Sequence, residues 1–441
     1  MSSKVTYVFS ALFVLIAHGG MLLNVFFNGN YTNISSVIIL SAAVLLLDAA
    51  YFTAMMFFKQ TTYAIDFLMI LLLNMSVIFQ SCFGGVRLSL KHYITCIVAL
   101  AACRVGYIFC RNHKWLQEQK KYFYIGIGIL MIVILTLTGS RSMWISLGPI
   151  TIQPSEFIKP LFVLACATSI AEQQKKHKIL KFHIVYENVA LFGLMVMIFL
   201  LQWWCRDLGS LPTFVAIYAC GFLLRICYPK AKFSKNKLIA AGAVLLVVAI
   251  LGIKFAPAYV QDRLHVDIWN DQSGNGYQQS QALIGIANGG WFGKGPGHGY
   301  LHNVFAHEND IVFATISEEW GLLYALMMVF VILIIIMIPL INPPRSYFHA
   351  TMATGICASF AVQMGLNIFG SCNMIPFTGV TIPFISSGGS SLMVSGLMTG
   401  MLIACQSPVF VQTKKPKRQK KQPVQPVNYP HQQYSPRRDT F

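Results

Sequence analysis

The sequence predicts an all-α polytopic membrane protein of about twelve transmembrane helices, and three observations carry that prediction. Apolar runs of about twenty residues, the length a helix needs to cross the hydrocarbon core, recur along the chain between short polar breaks. Hydrophobic residues fill 56% of the 441 positions and charged residues only 11%, too apolar a balance for a water-soluble globule. Basic residues gather in connections on one side of these runs.

The runs fall at residues 5–27, 35–58, 63–83, 93–110, 123–139, 154–171, 185–204, 211–227, 238–255, 311–341, 349–369 and 390–405. The first looks like a signal sequence, but no small-residue cleavage site follows it, so it reads as an uncleaved span. The tenth exceeds the usual length, and its acidic start predicts an exposed helical turn ahead of the membrane. Arg111, Lys114, Lys120 and Lys121 follow the fourth run, and Lys175, Lys176, Lys178 and Lys181 the sixth. Lys230, Lys232, Lys235 and Lys237 follow the eighth, and the tail KKPKRQKK at 414–421 follows the twelfth. One assignment puts every basic cluster and both termini in the cytoplasm. The large connection at 257–310, between the ninth and tenth runs, then faces outward.

The net charge of +18 fits this topology and anionic lipid headgroups at the inner leaflet better than it fits nucleic acid. Residues 1–406 read as one transmembrane domain, and residues 407–441, basic and rich in Pro and Gln, as a disordered cytoplasmic tail. The eleven cysteines show no ligand spacing, which points to small buried apolar residues and away from a metal site. Asp48 and Asp66 are acids at membrane depth, expected to hydrogen-bond within the N-terminal spans.

Polar residues at such depth are costly unless paired or hydrated, so chemistry is sought among them. In WISLGPITIQPSEFIKP (144–160), Pro154 can start a helix, and Glu156 and Lys159 share one face at i and i+3. A structural ion pair and a substrate contact weigh equally for these two. CRDLGS (205–210) places Arg206 and Asp207 at the outer end of the seventh run, where an ordinary solvated loop is the simpler reading.

The glycine-rich stretch GYQQSQALIGIANGGWFGKGPGHG (276–299) permits close backbone approach, to a ligand with Lys294 and His298 near phosphate oxygens, or in tight re-entrant packing. It lacks a Walker pattern, which excludes nucleotide binding. In AHENDIVFATISEEWG (306–321), Asp310 marks the passage from polar loop to apolar span, suited to a general base, a metal ligand or a helix cap. The segment at 367–391, NIFGSCNMIPFTGVTIPFISSGGSS, is irregular, which at this depth implies a polar cavity.

These five motifs, in this order, resemble the SEDS family of bacterial shape, elongation, division and sporulation proteins. The resemblance covers 144–391 by motif and the remaining spans by hydropathy. It implies a bacterial cytoplasmic-membrane glycosyltransferase that polymerises lipid II at the outer face, with Asp310 as catalytic base or metal ligand. By the same resemblance Lys159, Glu156, Arg206, Asp207, Lys294, Gln278, Ser386 and Ser390 are substrate-binding candidates. The leaving pyrophosphate calls for cations, backbone amides or a divalent metal, magnesium or manganese, with Lys294, Arg206 and Arg141 the cationic candidates in that order. The implied partners are membrane lipids and a class B penicillin-binding protein.

The chain departs from the family pattern at several points. Phe305, Ala306, His307, Glu308 and Asn309 stand where Pro-Glu-x-His-Thr is common, and Ile311 replaces the usual Phe. Met143 stands where Arg is frequent and Ser387 where Tyr is. The family has ten spans, so two more are implied at the N-terminus. A lipid-precursor flippase and a non-catalytic scaffold are the competing functional classes.

Overall fold

The computed structural model describes residues 3–57, 63–137, 142–147, 150–171, 177–179, 182–184, 186–227, 261, 266–270, 276–344 and 346–406. The expected ninth span, Arg141 and the 407–441 tail lie outside them. Two hairpins open the chain: α1 (Ser3–Asn28) with α2 (Ile34–Phe57), then α3 (Ala64–Cys82) with α4 (Leu90–Cys110). The short α5 (His113–Glu118) leads to α6 (Lys120–Leu137), α7 (Pro154–Ala171), α8 (Tyr186–Trp204) and α9 (Leu211–Cys227). Beyond residue 276 come α10 (Tyr277–Gly289), a 3-10 turn (Leu301–Asn303), α11 (Val312–Trp320), α12 (Leu322–Ile341), α13 (Tyr347–Ser371) and α14 (Gly389–Gln406). Two small antiparallel pairs complete the described elements, β1 (Ile145–Leu147) with β2 (Ile150–Ile152) and β3 (His177–Ile179) with β4 (Phe182–Ile184).

Nine described helices are long and apolar enough to cross a membrane: α1 to α4, α6, α8 and α12 to α14. The fold is therefore the all-α membrane bundle that the composition predicts. The tenth run, however, is not one long helix with an exposed start. Unbroken, its 31 residues would extend about 46 Å against a hydrocarbon core of about 30 Å. The chain instead breaks at Gly321, whose φ is +88° and whose missing Cβ leaves room for the backbone of Trp291 and Phe292. The first piece, α11, is about 14 Å long, and every one of its residues is buried.

The 257–310 connection is not wholly a loop either, since α10 lies within it. Gly289, at the end of α10, touches the backbone of Ser317 and Glu318 so closely that any Cβ would collide. Close packing of α10 on α11 is thus what this glycine serves.

The same device joins α4 to α14. A Cβ on Gly396 would strike Ala99 O, one on Gly400 Cys103 O, and one on Gly106 Leu397 O. Small residues at a crossing let backbones approach where the lipid gives helices no hydrophobic reason to associate.

The N-terminal hairpin covers α3, which is buried on nearly all faces. Three dry polar groups fasten it. His18 Nδ1 lies 2.7 Å from Asp48 Oδ2, and the Asn74 amide donates to Asp48 Oδ1 at 2.9 Å. Nearer the other end of the hairpin, Asp66 is bonded by Tyr51 OH (2.9 Å) and by Arg104. Each acid is thereby paired within the bundle. The end bearing Asn28, Gly84 and Asp310 is termed outer below, the orientation that the basic connections predict.

Gly400→Val should wedge α4 and α14 apart and destabilise the bundle by about 1–3 kcal/mol. Thermal unfolding in detergent measures it, and a wild-type melting temperature would show that the crossing tolerates a side chain.

Candidate functional site

A cavity of about 600 Å³ opens among α7, the α8–α9 connection, α10, the loop before α11 and the 377–391 segment. Pro154 starts α7 and aims its first turn at this space, placing Glu156 and Lys159 on the cavity wall. Lys159 Nζ is 2.6 Å from Glu156 Oε1 and donates to Gln363 Oε1 at 3.3 Å, so the pair neutralises itself while lining the site. Arg206 and Asp207 line the cavity too, so their connection is no ordinary loop end. Gly209 lies against Thr378 O with no space for a Cβ, and Gln153 Nε2 donates to Asp207 Oδ2 at 3.4 Å.

Asp310 faces the same cavity. Its backbone is held from several sides. Its N–H donates to Ala306 O at 2.8 Å, and the Asn367 amide donates to Asp310 O (2.9 Å), Asn309 O (3.1 Å) and Val380 O (2.8 Å). Ser386 Oγ donates to Asn309 O at 3.0 Å, and Gln80 Nε2 to Glu308 O at 3.1 Å. Its carboxylate rests beside Gly379, where a Cβ would come 3.3 Å from Oδ2 and where φ is +64°. Burial first, and the neighbouring Asp207 carboxylate second, push the Asp310 pKa up to about 7. A group so poised can take a proton near neutral pH.

Three non-glycine residues hold left-handed backbone around this space: Arg206 (φ +56°), Ala306 (φ +54°) and Phe384 (φ +70°). Arg206 lines the cavity, Ala306 accepts the Asp310 N–H, and Phe384 lies between Thr381 and Gly388, which line the cavity as well.

The structure brings six candidates to the cavity: Asp310, Asp207, Arg206, Glu156, Lys159 and Gln278. Ser386 and Ser390 stand behind its wall, the first on Asn309 O and the second accepting Gln153 N–H at 3.3 Å. Lys294, the first choice for the pyrophosphate, does not line the cavity. Its Nζ lies 3.0 Å from Glu318 Oε1. The backbone around it wraps Glu318 and Glu319, whose carboxylates accept the N–H groups of Gly297, Tyr300 and Leu301. Gln363 and Asn367 serve the site as well, and what marks them in the sequence is an uncharged amide at membrane depth in α13.

Residues 52–408 match the family model described as cell cycle protein, covering FtsW, RodA and SpoVE. The chain belongs to this family. Among relatives, it is 31% identical over 303 residues to the probable peptidoglycan glycosyltransferase FtsW of Alcanivorax borkumensis, covering 65% of this chain and 76% of that one. The FtsW of Halomonas elongata, named in the same way, is 28% identical over 361 residues, 77% and 84% of the two chains. In fold the chain is similar to one from a peptidoglycan synthase complex that coordinates polymerization and crosslinking (TM-score 0.60, 19% identity, 78% of this chain and 96% of that one). It is likewise similar to Thermus thermophilus RodA (TM-score 0.53, 18% identity, 78% and 96%). The family match starts near the end of α2, so α1 and most of α2 lie ahead of it.

The buried pair in α7 gives a measurable expectation. Glu156→Ala strands the Lys159 charge and should cost about 3–5 kcal/mol. Glu156→Gln combined with Lys159→Met should melt close to wild type, because no isolated charge is left. An equal loss in both variants would show that the pair does not act as a unit.

Proposed function

We propose that the chain is an inverting peptidoglycan glycosyltransferase of the bacterial cytoplasmic membrane, acting on lipid II. The observation that carries this reading is Asp310, a carboxylate with a pKa near 7 facing a cavity shared with Asp207, Arg206 and Lys159. The acceptor GlcNAc 4-hydroxyl gives its proton to Asp310 as its oxygen bonds to the anomeric carbon of a lipid-linked MurNAc. The bond from that carbon to the phosphate oxygen breaks, and the pyrophosphate leaves with the electron pair. Attack opposite an α-linked leaving group gives a β-linked product, so one base and a stabilised leaving group suffice.

Arg206 is the exposed cation of the described lining, and Lys159 the buried one. They are the candidates for the departing phosphates because both line the cavity, whereas Lys294 does not. Asp207, which the proton transfer does not use, would hold magnesium or manganese, ions that take one or two carboxylates together with substrate phosphates. When bound, such a cation would offset phosphate charge. An apolar groove of about 660 Å³ between α4, α6, α7 and α14, walled by Phe109, Phe123, Phe157 and Leu161, offers a polyprenyl chain a place to lie. A class B penicillin-binding protein is the expected partner for crosslinking, in line with the complex in which a similar fold was solved.

Asp310→Ala, purified and folded, should make no glycan polymer from lipid II, whereas wild type does; full polymerisation by the variant defeats the reading. The base works only when ionised, and its pKa is raised to about 7. Polymerisation should therefore climb as pH rises through 7 and level off above it. A rate already flat from pH 5 upward would remove Asp310 as the base.

A further inference from the structure

We infer that the N-terminal hairpin is a positioning element for the outer site, with Asn30 as its positioning residue. The inference deepens the glycosyltransferase reading and rests on it for its turnover arm only. Residues before 52 lie outside the family match, yet the turn between α1 and α2 reaches the glycine-rich segment. Asn30 N–H donates to Pro296 O at 2.8 Å, and its side-chain amide to Gly297 O at 3.2 Å. Its own carbonyl accepts the N–H of Val86, in the α3–α4 connection, at 3.0 Å.

Three pieces of chain thus meet backbone to backbone. Gly297, at φ +81°, leaves a would-be Cβ only 3.2 Å from both Asn30 and Gly85. Gly295, at φ +104°, would place one 2.9 Å from Asn28 O. A side chain at either glycine would press these segments apart, so the hairpin turn and the loop are in register by contact.

A ladder of hydrogen bonds runs from this junction to Asp310. Gly297 N–H donates to Glu319 Oε2 at 2.9 Å, and the N–H groups of Tyr300 and Leu301 to Glu318 Oε2 at 2.9 and 2.8 Å. Val304 N–H donates to Leu301 O, His307 N–H to Val304 O and Asp310 N–H to Ala306 O. Both glutamates sit near the end of α11, whose other end starts two residues past Asp310. A shift at Gly297 therefore reaches Asp310 along the loop and along the helix. The hairpin is a firm support for this, because the His18–Asp48–Asn74 bonds tie α1 and α2 to α3.

Full-length Asn30→Ala tests the inference by hydrogen–deuterium exchange and by turnover. One net hydrogen bond corresponds to about fivefold, so amides at 294–301 and at 306–311 should exchange about fivefold faster. Turnover per folded molecule should fall about three- to tenfold with the KM for lipid II within about twofold. Gly297→Ala opens the same junction from the loop side, and the double variant should lose no more than the worse single one. A purely structural role would lower the melting temperature and the folded yield while leaving turnover per folded molecule unchanged. That result, or unchanged exchange at 306–311, overturns the inference. If wild type makes no polymer, the glycosyltransferase reading fails, and exchange at 306–311 alone decides the positioning role.

Discussion

One side-chain amide, that of Asn367, carries the outer end of the bundle. Irregular backbone persists at membrane depth only where its polar groups find partners inside the protein. Two irregular segments meet here, one ending at Asp310 and one running through Val380, and Asn367 bonds carbonyls of both. A buried carbonyl left bare costs about 1–3 kcal/mol, more than the net worth of about 1 kcal/mol of an ordinary hydrogen bond. Without the amide, carbonyls of both segments would lose a buried donor at the place where the carboxylate is presented. Gln80 from α3 and Ser386 from the facing segment meet the same requirement from other sides.

Much of this was legible in the order of residues. Apolar runs placed the helices, because a span leaves a signal of about twenty positions that no neighbour has to complete. Asp310 stood out because an acid at the border of an apolar run is rare. Other features were hidden because they are pairings across long stretches of chain. Lys294 looked free for phosphate, and only the wrapping of its loop around α11 shows Glu318 waiting for it. The break at Gly321 was masked by hydrophobicity on both sides, although its cause is local: a positive φ and a neighbouring backbone within touching range. The glycines of 285–299 left a ligand cradle and tight packing both open, and Gly289 serves packing, against α11.

On and behind the cavity wall, three residues hold a conformation that side chains disfavour, each costing of order 1–3 kcal/mol. Arg206, Ala306 and Phe384 come from three separate segments, so no single turn explains them. Their surroundings hold them there: Ala306 through two N–H donors, Asn309 and Asp310, and Phe384 through its buried ring against Phe360 at 5.2 Å. Stability is given up where backbone must bend sharply around an open polar space.

The polar bond between His18 and Asp48 has a consequence for how the protein is made. The two residues belong to α1 and α2, which precede α3 in the chain, and both are wholly shielded in the finished fold. A lone acid in lipid is expensive, but these two lie on opposite arms of one hairpin and can close on each other as that hairpin inserts. Asn74 joins only when the third helix arrives. The hairpin thereby meets the need of its own buried acid from within, and α3 adds a donor to a pair that the hairpin alone can form.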